Sequence, residues 1–295
     1  MNMTRLLTWQ SLLFTIVTVS TICFTFLKPN HSYLVGVLPL ILVITLFGVP
    51  HGALDTLFAK KAFSLMSVKQ WASFVSIYLL ISACVIALWW LLPTLFLVIF
   101  LLFSALHFAD DLGLKETKAL RFLYGANIIL LPSIFYSSHL TTLYSYLIDS
   151  AYLISLVSLF NVLAYVCGLM TVVLLVNLSR KIDRRQWLDT LCVSLLMLLV
   201  QPLLAFTIYF CFMHSARHLI RAKFFFADDS SATFLVMLIV PTLVVIIFCG
   251  IVFSLMPTQK IDENLVKITF AGLAALTFPH AFLLNKIGFL KRLGV

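Results

Sequence analysis

Charged residues are scarce in this chain. Only 11% of its 295 residues are charged and 62% are hydrophobic, whereas about 25% of residues are charged in soluble domains. Mean hydropathy is +1.11, and no polar stretch exceeds about a dozen residues, too few for an extramembrane domain. The composition excludes an ordinary soluble domain. It predicts an all-α polytopic membrane protein, with residues 1–295 forming a single integral-membrane domain.

Two common kinds of site are also missing. The six cysteines lie in apolar runs without C-x-x-C spacing, which is typical of small packing residues and not of disulfides or thiolate metal sites. Basic patches with interleaved aromatics do not occur in the polar segments. We therefore attribute the net charge of +9 to basic loops on one side of a membrane, and expect no nucleic-acid binding.

Apolar runs predict about ten transmembrane helices, since a bilayer core needs ~20 helical residues. Proline, asparagine and charged residues separate the runs. The expected spans are 8–27, 33–57, 70–92, 93–112, 121–138, 150–178, 187–202, 203–222, 233–256 and 265–287.

Loop charges favour this arrangement. With the N-terminus inside, 16 of the 20 Lys and Arg residues fall in cytoplasmic segments and 3 outside, and Arg217 lies within a helix. Cytoplasmic loops carry an excess of Lys and Arg, and one missing helix would invert every later loop. The sequence thus predicts ten helices with both termini cytoplasmic.

Five of the seven histidines share one predicted layer of the membrane. His31 and His139 fall in outside loops and are expected to be solvated. The others lie roughly 6–12 Å from the inner ends of four helices that run in the same direction, and are His51, His107, His214, His218 and His280. A lone intramembrane histidine is usually satisfied by an interhelical hydrogen bond. Five at one depth indicate a metal site, because imidazole suits Zn, Cu and Fe.

Charged side chains lie close to these histidines in the sequence. Asp55 follows His51 by four residues, on the same helical face, so it either serves the site as a ligand or outer hydrogen-bond acceptor, or has only a structural role. Asp110 and Asp111, three and four residues after His107, either ligate a metal, accept the ring N–H of a ligating histidine, or are solvated at a helix end, and we favour the solvated position. Arg217 is expected to pair with Asp55 or Asp110, or to extend to the inner surface.

Four motifs resemble those of the Brp/Blh family of membrane β-carotene 15,15′-dioxygenases. The first is G-V-P-H-G-A-L-D at 48–55, the second S-A-L-H-F at 104–108, the third Y-F-C-F-M-H-S-A-R-H at 209–218 and the last F-P-H at 278–280. They occur in family order over most of the chain. One departure is Ala109, where the family often has glycine.

The resemblance implies a function and a ligand set. The reaction would be insertion of O₂ into the central 15,15′ double bond of β-carotene, giving two retinals. His51, His107, His214 and His218 would hold a non-haem Fe(II), and no catalytic residue beyond the metal site would be needed. His280 is left nearby, as an outer partner or additional ligand. The enzyme would lie among lipids as a multi-pass protein of the cell (inner or plasma) membrane, and a microbial rhodopsin would be a candidate recipient of the retinal.

The substrate implied by the resemblance is a rod about as long as the bilayer core is thick. Its site should be an apolar tunnel lined with aromatic side chains. Among the 27 Phe and 9 Tyr residues, Phe108 and Tyr209 are the first candidates for substrate contact because they are nearest to the histidines on their helices. Phe210 is the third.

Three other functions also use histidines within membrane helices. A haem-binding electron-transfer protein would use pairs of axial histidines, commonly at two depths. A di-iron desaturase needs several H-x-x-x-H clusters, and this chain has one. A transporter or proton channel with a histidine relay would be favoured by an inverted repeat and broken helices, which the sequence does not indicate. One layer of five histidines agrees best with a single non-haem centre.

Overall fold

The structure is a computed structural model that describes residues 2–27, 36–113, 117–148, 151–179 and 182–294. Within these ranges it consists of helices and short connections, without β-strands, as predicted. The α-helices are α1 (Met3–Leu27), α2 (Val37–Val43), α3 (Pro50–Ala53), α4 (Asp55–Phe63), α5 (Val68–Leu91), α6 (Pro93–Phe108), α7 (Lys118–Leu130), α8 (Pro132–Ser145), α9 (Leu153–Asn177), α10 (Arg184–Leu199), α11 (Pro202–Ile208), α12 (Ala216–Phe225), α13 (Ser231–Ser254), α14 (Ile261–Ile287) and α15 (Phe289–Leu293). Two π-helices, π1 (Ile44–Gly48) and π2 (Tyr209–Ser215), join α2 to the segment before α3 and α11 to α12; 3₁₀ turns cover Ala109–Leu112 and Thr258–Lys260.

Eight helical stretches of the described chain are long and apolar enough to cross a membrane. The number is nine if α7 and α8, which meet at 45°, form one span. The predicted seventh span corresponds to α10, whose 16 residues are short for a bilayer core. The chain is thus consistent with a multi-pass membrane protein, and the count of ten stays a prediction.

Prolines determine where several helices begin. Pro50, Pro93, Pro132 and Pro202 occupy the first turn of α3, α6, α8 and α11, where the missing N–H would have no partner in any case. These starts agree with the sequence-predicted breaks at Pro93 and Pro202.

The helices on the outside of the bundle carry few buried residues. Within the most apolar window of α5 and of α13, only 6% of residues are buried, although both helices are strongly apolar. Exposed apolar faces of this length suit lipid. The histidine-bearing stretches are more enclosed, since 56% of the α6 window and 61% of the Pro202–Phe225 window are buried.

A close contact between two backbones fixes the position of α6. A Cβ atom added to Gly125 of α7 would lie 1.9 Å from the carbonyl oxygen of Ala105, two residues before His107. Only glycine permits this approach. The approach therefore sets the depth at which α6 presents His107.

One of the two predicted loop histidines lies in a helix. His139 is half-buried within α8 and its ring packs edge-on against Tyr136, with centroids 5.7 Å apart. The prediction of a solvated loop was wrong because α8 continues seven residues beyond the predicted end at 138. His31 lies outside the described residues.

Candidate metal centre

Five imidazole rings lie next to one another in the interior of the bundle. Neighbouring ring centroids are 4.9–5.5 Å apart for the pairs His51–His214, His51–His218, His51–His280, His107–His214, His107–His280 and His218–His280. Four of the residues are buried and His107 is half-buried. The histidines that the sequence placed in one layer are therefore neighbours in space.

The two π-helices lie directly beside this group. π1 ends three residues before His51, and π2 contains His214. A π-helix disturbs the regular i→i−4 pattern of backbone hydrogen bonds and is frequent at functional sites. Here side chains bond to the backbone oxygens of these turns: Ser215 Oγ donates to the carbonyl of Phe47 at 2.7 Å, and Gln10 Nε2 to that of Phe212 at 2.7 Å.

Hydrogen bonds to Nδ1 orient three of the rings. His51 Nδ1 donates to the carbonyl oxygen of Gly48 at 2.5 Å, His280 Nδ1 to Asp55 at 2.6 Å, and His214 Nδ1 to Asp111 at 3.1 Å. With Nδ1 carrying the proton, Nε2 keeps a free lone pair. The buried Nε2 atoms of His107, His218 and His280 have no hydrogen-bond partner.

Asp111 is an essential part of this arrangement, and its prediction as a solvated residue was wrong. Its side chain is buried and accepts hydrogen bonds from Tyr209 Oη at 2.6 Å and from His214. The 3₁₀ turn that follows α6 directs it inward. Asp110, by contrast, is half-exposed and pairs with Arg121.

The buried carboxylates of Asp55 and Asp111 each bind a histidine from another helix. Asp55 follows His51 in the sequence but binds His280, and Asp111 follows His107 but binds His214. Tyr78 Oη donates a further hydrogen bond to Asp55 at 2.8 Å. The i,i+4 spacing pointed to Asp55 as a carboxylate of the site but associated it with His51 and not with His280. Spacing along one helix does not report contacts between helices.

Arg217 does not pair with Asp55 or Asp110 and does not reach the surface. It is buried and its Nη2 lies 2.8 Å from Asp189 Oδ2 of α10. It also donates to Gln10 Oε1 at 2.9–3.0 Å and to the carbonyl oxygen of Asp111 at 3.0 Å. Sequence reasoning missed Asp189 and Gln10, although a carboxylate within an apolar span was a usable signal.

Two cavities meet at the histidines. The inner cavity, of about 610 Å³, is lined by His107, His214 and His218 and by polar residues at the inner helix ends. The apolar cavity, of about 70 Å³, is lined by His51, His107 and His214 and extends along α6 toward Leu97. Phe108 and Phe210 line the apolar cavity, and their contact with substrate stays a prediction. Tyr209 is absent from both linings and lies behind His214.

The donor atoms are close without yet forming a metal-binding polyhedron. Across the described residues, no group of three or more His, Cys, Asp or Glu side chains is already arranged to hold a metal ion.

A family model described as Beta-carotene 15,15′-dioxygenase matches residues 42–287. The chain belongs to the β-carotene 15,15′-dioxygenase family. This confirms the resemblance in the motifs, and it makes the chain an enzyme of the β-carotene 15,15′-dioxygenase type.

A relative within the β-carotene 15,15′-dioxygenase family is similar over most of its length. It is the Beta-carotene 15,15′-dioxygenase of the uncultured marine bacterium 66A03, 28% identical over 263 residues, which cover 83% of this chain and 91% of that protein. No solved structure matches the chain. Gln10, which hydrogen-bonds to Arg217 and to the carbonyl oxygen of Phe212 in π2, lies before the residues that the family model covers.

Proposed function

We propose that this chain is an iron-dependent dioxygenase that cleaves the central 15,15′ double bond of β-carotene with O₂ and releases two retinals. Family membership supports the substrate class. The observation that carries the rest is the position of the histidine cluster beside two cavities, since His107 and His214 line both, His51 lines the apolar one and His218 the inner one. A group bound there would face a ligand that extends into both.

The donor set fits an iron ion. His51, His107, His214 and His218 would hold it, with their neutral Nε2 atoms available, and imidazole is a suitable ligand for iron. His280 would act as a further ligand or as a close outer partner, since Asp55 fixes its ring and leaves its Nε2 without a partner. Asp55 itself is an outer residue that accepts the ring N–H. When bound, Fe(II) supplies the binding and activation of O₂.

The protein residues position the polyene. From His107 to Leu97 the apolar cavity follows α6 for about 15 Å, which is about half the thickness of a bilayer core and so about half the length of the substrate. One end of β-carotene placed there would bring the central bond to the histidines. At about 70 Å³ the cavity has room for only about two water molecules, so Phe108 and Phe210 must move aside when substrate binds.

The decisive experiment uses cells that make β-carotene and express this chain. Chromatography of the extracted pigments should show loss of β-carotene and formation of two molecules of all-trans-retinal for each molecule of β-carotene lost. Unchanged β-carotene in cells with good membrane expression and iron-loaded protein would refute the proposal. We also propose that a microbial rhodopsin receives the retinal. Co-expression of such a rhodopsin in the same cells would test this, because the accumulated retinal should then decrease.

Single alanine variants then assign the metal. Replacement of His51, His107, His214 or His218 should abolish iron retention and retinal formation while membrane insertion persists. Full activity of one variant would remove that residue from the ligand set. His139→Ala is the matched control, because its ring lies outside the cluster, and it should retain iron.

A further inference from the structure

Arg221 is a buried cation without an acidic partner. It lies on α12 three residues after His218 and only 4% of its surface is exposed. Its guanidinium donates to the carbonyl oxygens of Asp110 at 3.1 Å and Asp111 at 2.9 Å. Among the described residues no carboxylate lies within ion-pair distance, and Nε has no hydrogen-bond partner. A buried charge is costly unless it is paired.

The neighbouring carboxylates are already committed. The carboxylate of Asp111 accepts hydrogen bonds from Tyr209 and His214, and that of Asp110 pairs with Arg121. The other arginine of this helix that lies in the interior, Arg217, has Asp189. Among the described residues, Arg221 is therefore a buried cation that lacks an ion-pair partner.

The cavity beside Arg221 is lined by both charged and aromatic side chains. Arg121 and Lys291 line it together with Arg221, as do the two carboxylates of Asp110 and Asp111, which already have partners. The aromatic side is formed by Phe103 and Phe278, whose rings stack with centroids 4.2 Å apart, next to His107. A volume of about 610 Å³ is within the range of sites for small organic ligands. An excess of cationic side chains together with aromatic surface suits an anion on an apolar chain.

We infer that the inner cavity binds an amphiphile with an anionic head group, carboxylate or phosphate, at Arg221 and its apolar chain against Phe103 and Phe278. The inference rests on the proposed function in one respect. The apolar tail of such a ligand would occupy space that β-carotene needs beside His107. A long-chain acid would thus compete with the substrate. A polyene acid derived from retinal by oxidation would have both the chain and the head group.

The test uses binding, measured on the purified iron-loaded protein in nanodiscs of neutral phosphatidylcholine. Equilibrium dialysis of radiolabelled all-trans-retinoate is compared with that of its methyl ester, which has the same chain and no charge. Retinoate should bind at least about tenfold more tightly, since hydrogen bonds to charged groups are the strong ones. Equal affinities would overturn the inference without any substitution.

Substitution then locates the head group. Arg221→Gln should lower retinoate affinity at least about tenfold and leave the affinity of the ester unchanged, whereas Lys223→Gln, on the exposed side of the same helix, should change neither. Unchanged retinoate affinity in Arg221→Gln would overturn the assignment. Arg221→Lys, which keeps a charge, should retain most of the binding.

Two further arms separate the possible outcomes. Retinoate binding is also measured in nanodiscs that contain phosphatidylglycerol. Weaker binding there than in neutral nanodiscs would show that lipid phosphate also occupies the site, whereas equal binding would assign the site to the free acid. Both results are consistent with an anion site. Conversion of β-carotene to retinal is measured in the same preparation. Cleavage without acid-selective binding contradicts only this inference, and acid-selective binding without cleavage contradicts only the proposed function.

Discussion

The ion pair between Arg217 and Asp189 offers a quantitative test of the structure. Both side chains are essentially unexposed, at 1% and 0%. Arg217 binds Asp189 Oδ2, and the other carboxylate oxygen, Oδ1, has no hydrogen-bond partner. Asp189→Asn keeps the shape and one oxygen for Arg217 but removes the negative charge. Breaking a buried pair by neutralising one partner costs about 3–5 kcal/mol in the free energy of unfolding, because the remaining charge stays buried. At ~2 °C per kcal/mol for a chain of this size, the midpoint of thermal unfolding should fall by about 6–10 °C.

The measurement is thermal unfolding in mild detergent, followed by intrinsic fluorescence, with retained iron determined on the same samples. Iron retention should also fall, because Arg217 donates to the carbonyl oxygen of Asp111, whose carboxylate holds His214. Asp228→Asn changes an exposed residue by the same chemistry and should leave both quantities unchanged. A decrease below about 2 °C for Asp189→Asn would show that Arg217 has another anion, and the reasoning would fail.

Two further substitutions address the carboxylate and the backbone contact. Asp111→Ala should weaken iron binding about 10–100-fold, as loss of an outer hydrogen-bond partner commonly does. A metal-competition titration measures this, with Asp229→Ala, at an exposed position, as the control that should bind iron like the unsubstituted chain. Equal iron affinities of the two variants would remove Asp111 from the centre. Gly125→Ala should lower the free energy of unfolding by at least about 1–3 kcal/mol, because its Cβ would overlap the Ala105 carbonyl. Gly250→Ala, with nothing within 4 Å, should be neutral or slightly stabilising, and a similar loss in both variants would contradict the contact.

The sequence was sufficient for the helices because their determinants are local. Apolar runs of nearly 20 residues and prolines at helix starts gave, for instance, the span 93–112 with the bounds that the structure has. The bend between α7 and α8 was not foreseen. Pro132 begins α8 within an uninterrupted apolar stretch, so hydropathy alone merged the two helices and ended them early.

The histidines of the centre were also accessible to sequence reasoning, since each is an unusual residue in an apolar span. Their partners were accessible only in part, since the sequence pointed to Asp55 but not to the histidine that it binds. Asp111 looks like a helix end in the sequence, and only the 3₁₀ turn after α6 and the approach of π2 make it a buried acceptor. Both Phe210 and Tyr209 were predicted to contact substrate, but only Phe210 lines the apolar cavity, whereas Tyr209 donates to Asp111. The π-helical turn changes which side chains share a face, so this difference could not be predicted from the sequence.

The hydrogen bonds of Gln10 have a consequence for biosynthesis. Its acceptor at Phe212 and its donor at Arg217 lie 202 and 207 residues later in the chain. At about 5–20 residues per second, the ribosome needs roughly 10–40 s to reach them after α1 has been made. During that interval the amide of α1 must be satisfied by water, lipid head groups or an insertion factor. The first helix of this protein therefore enters the membrane with a polar group whose partners have not yet been synthesised.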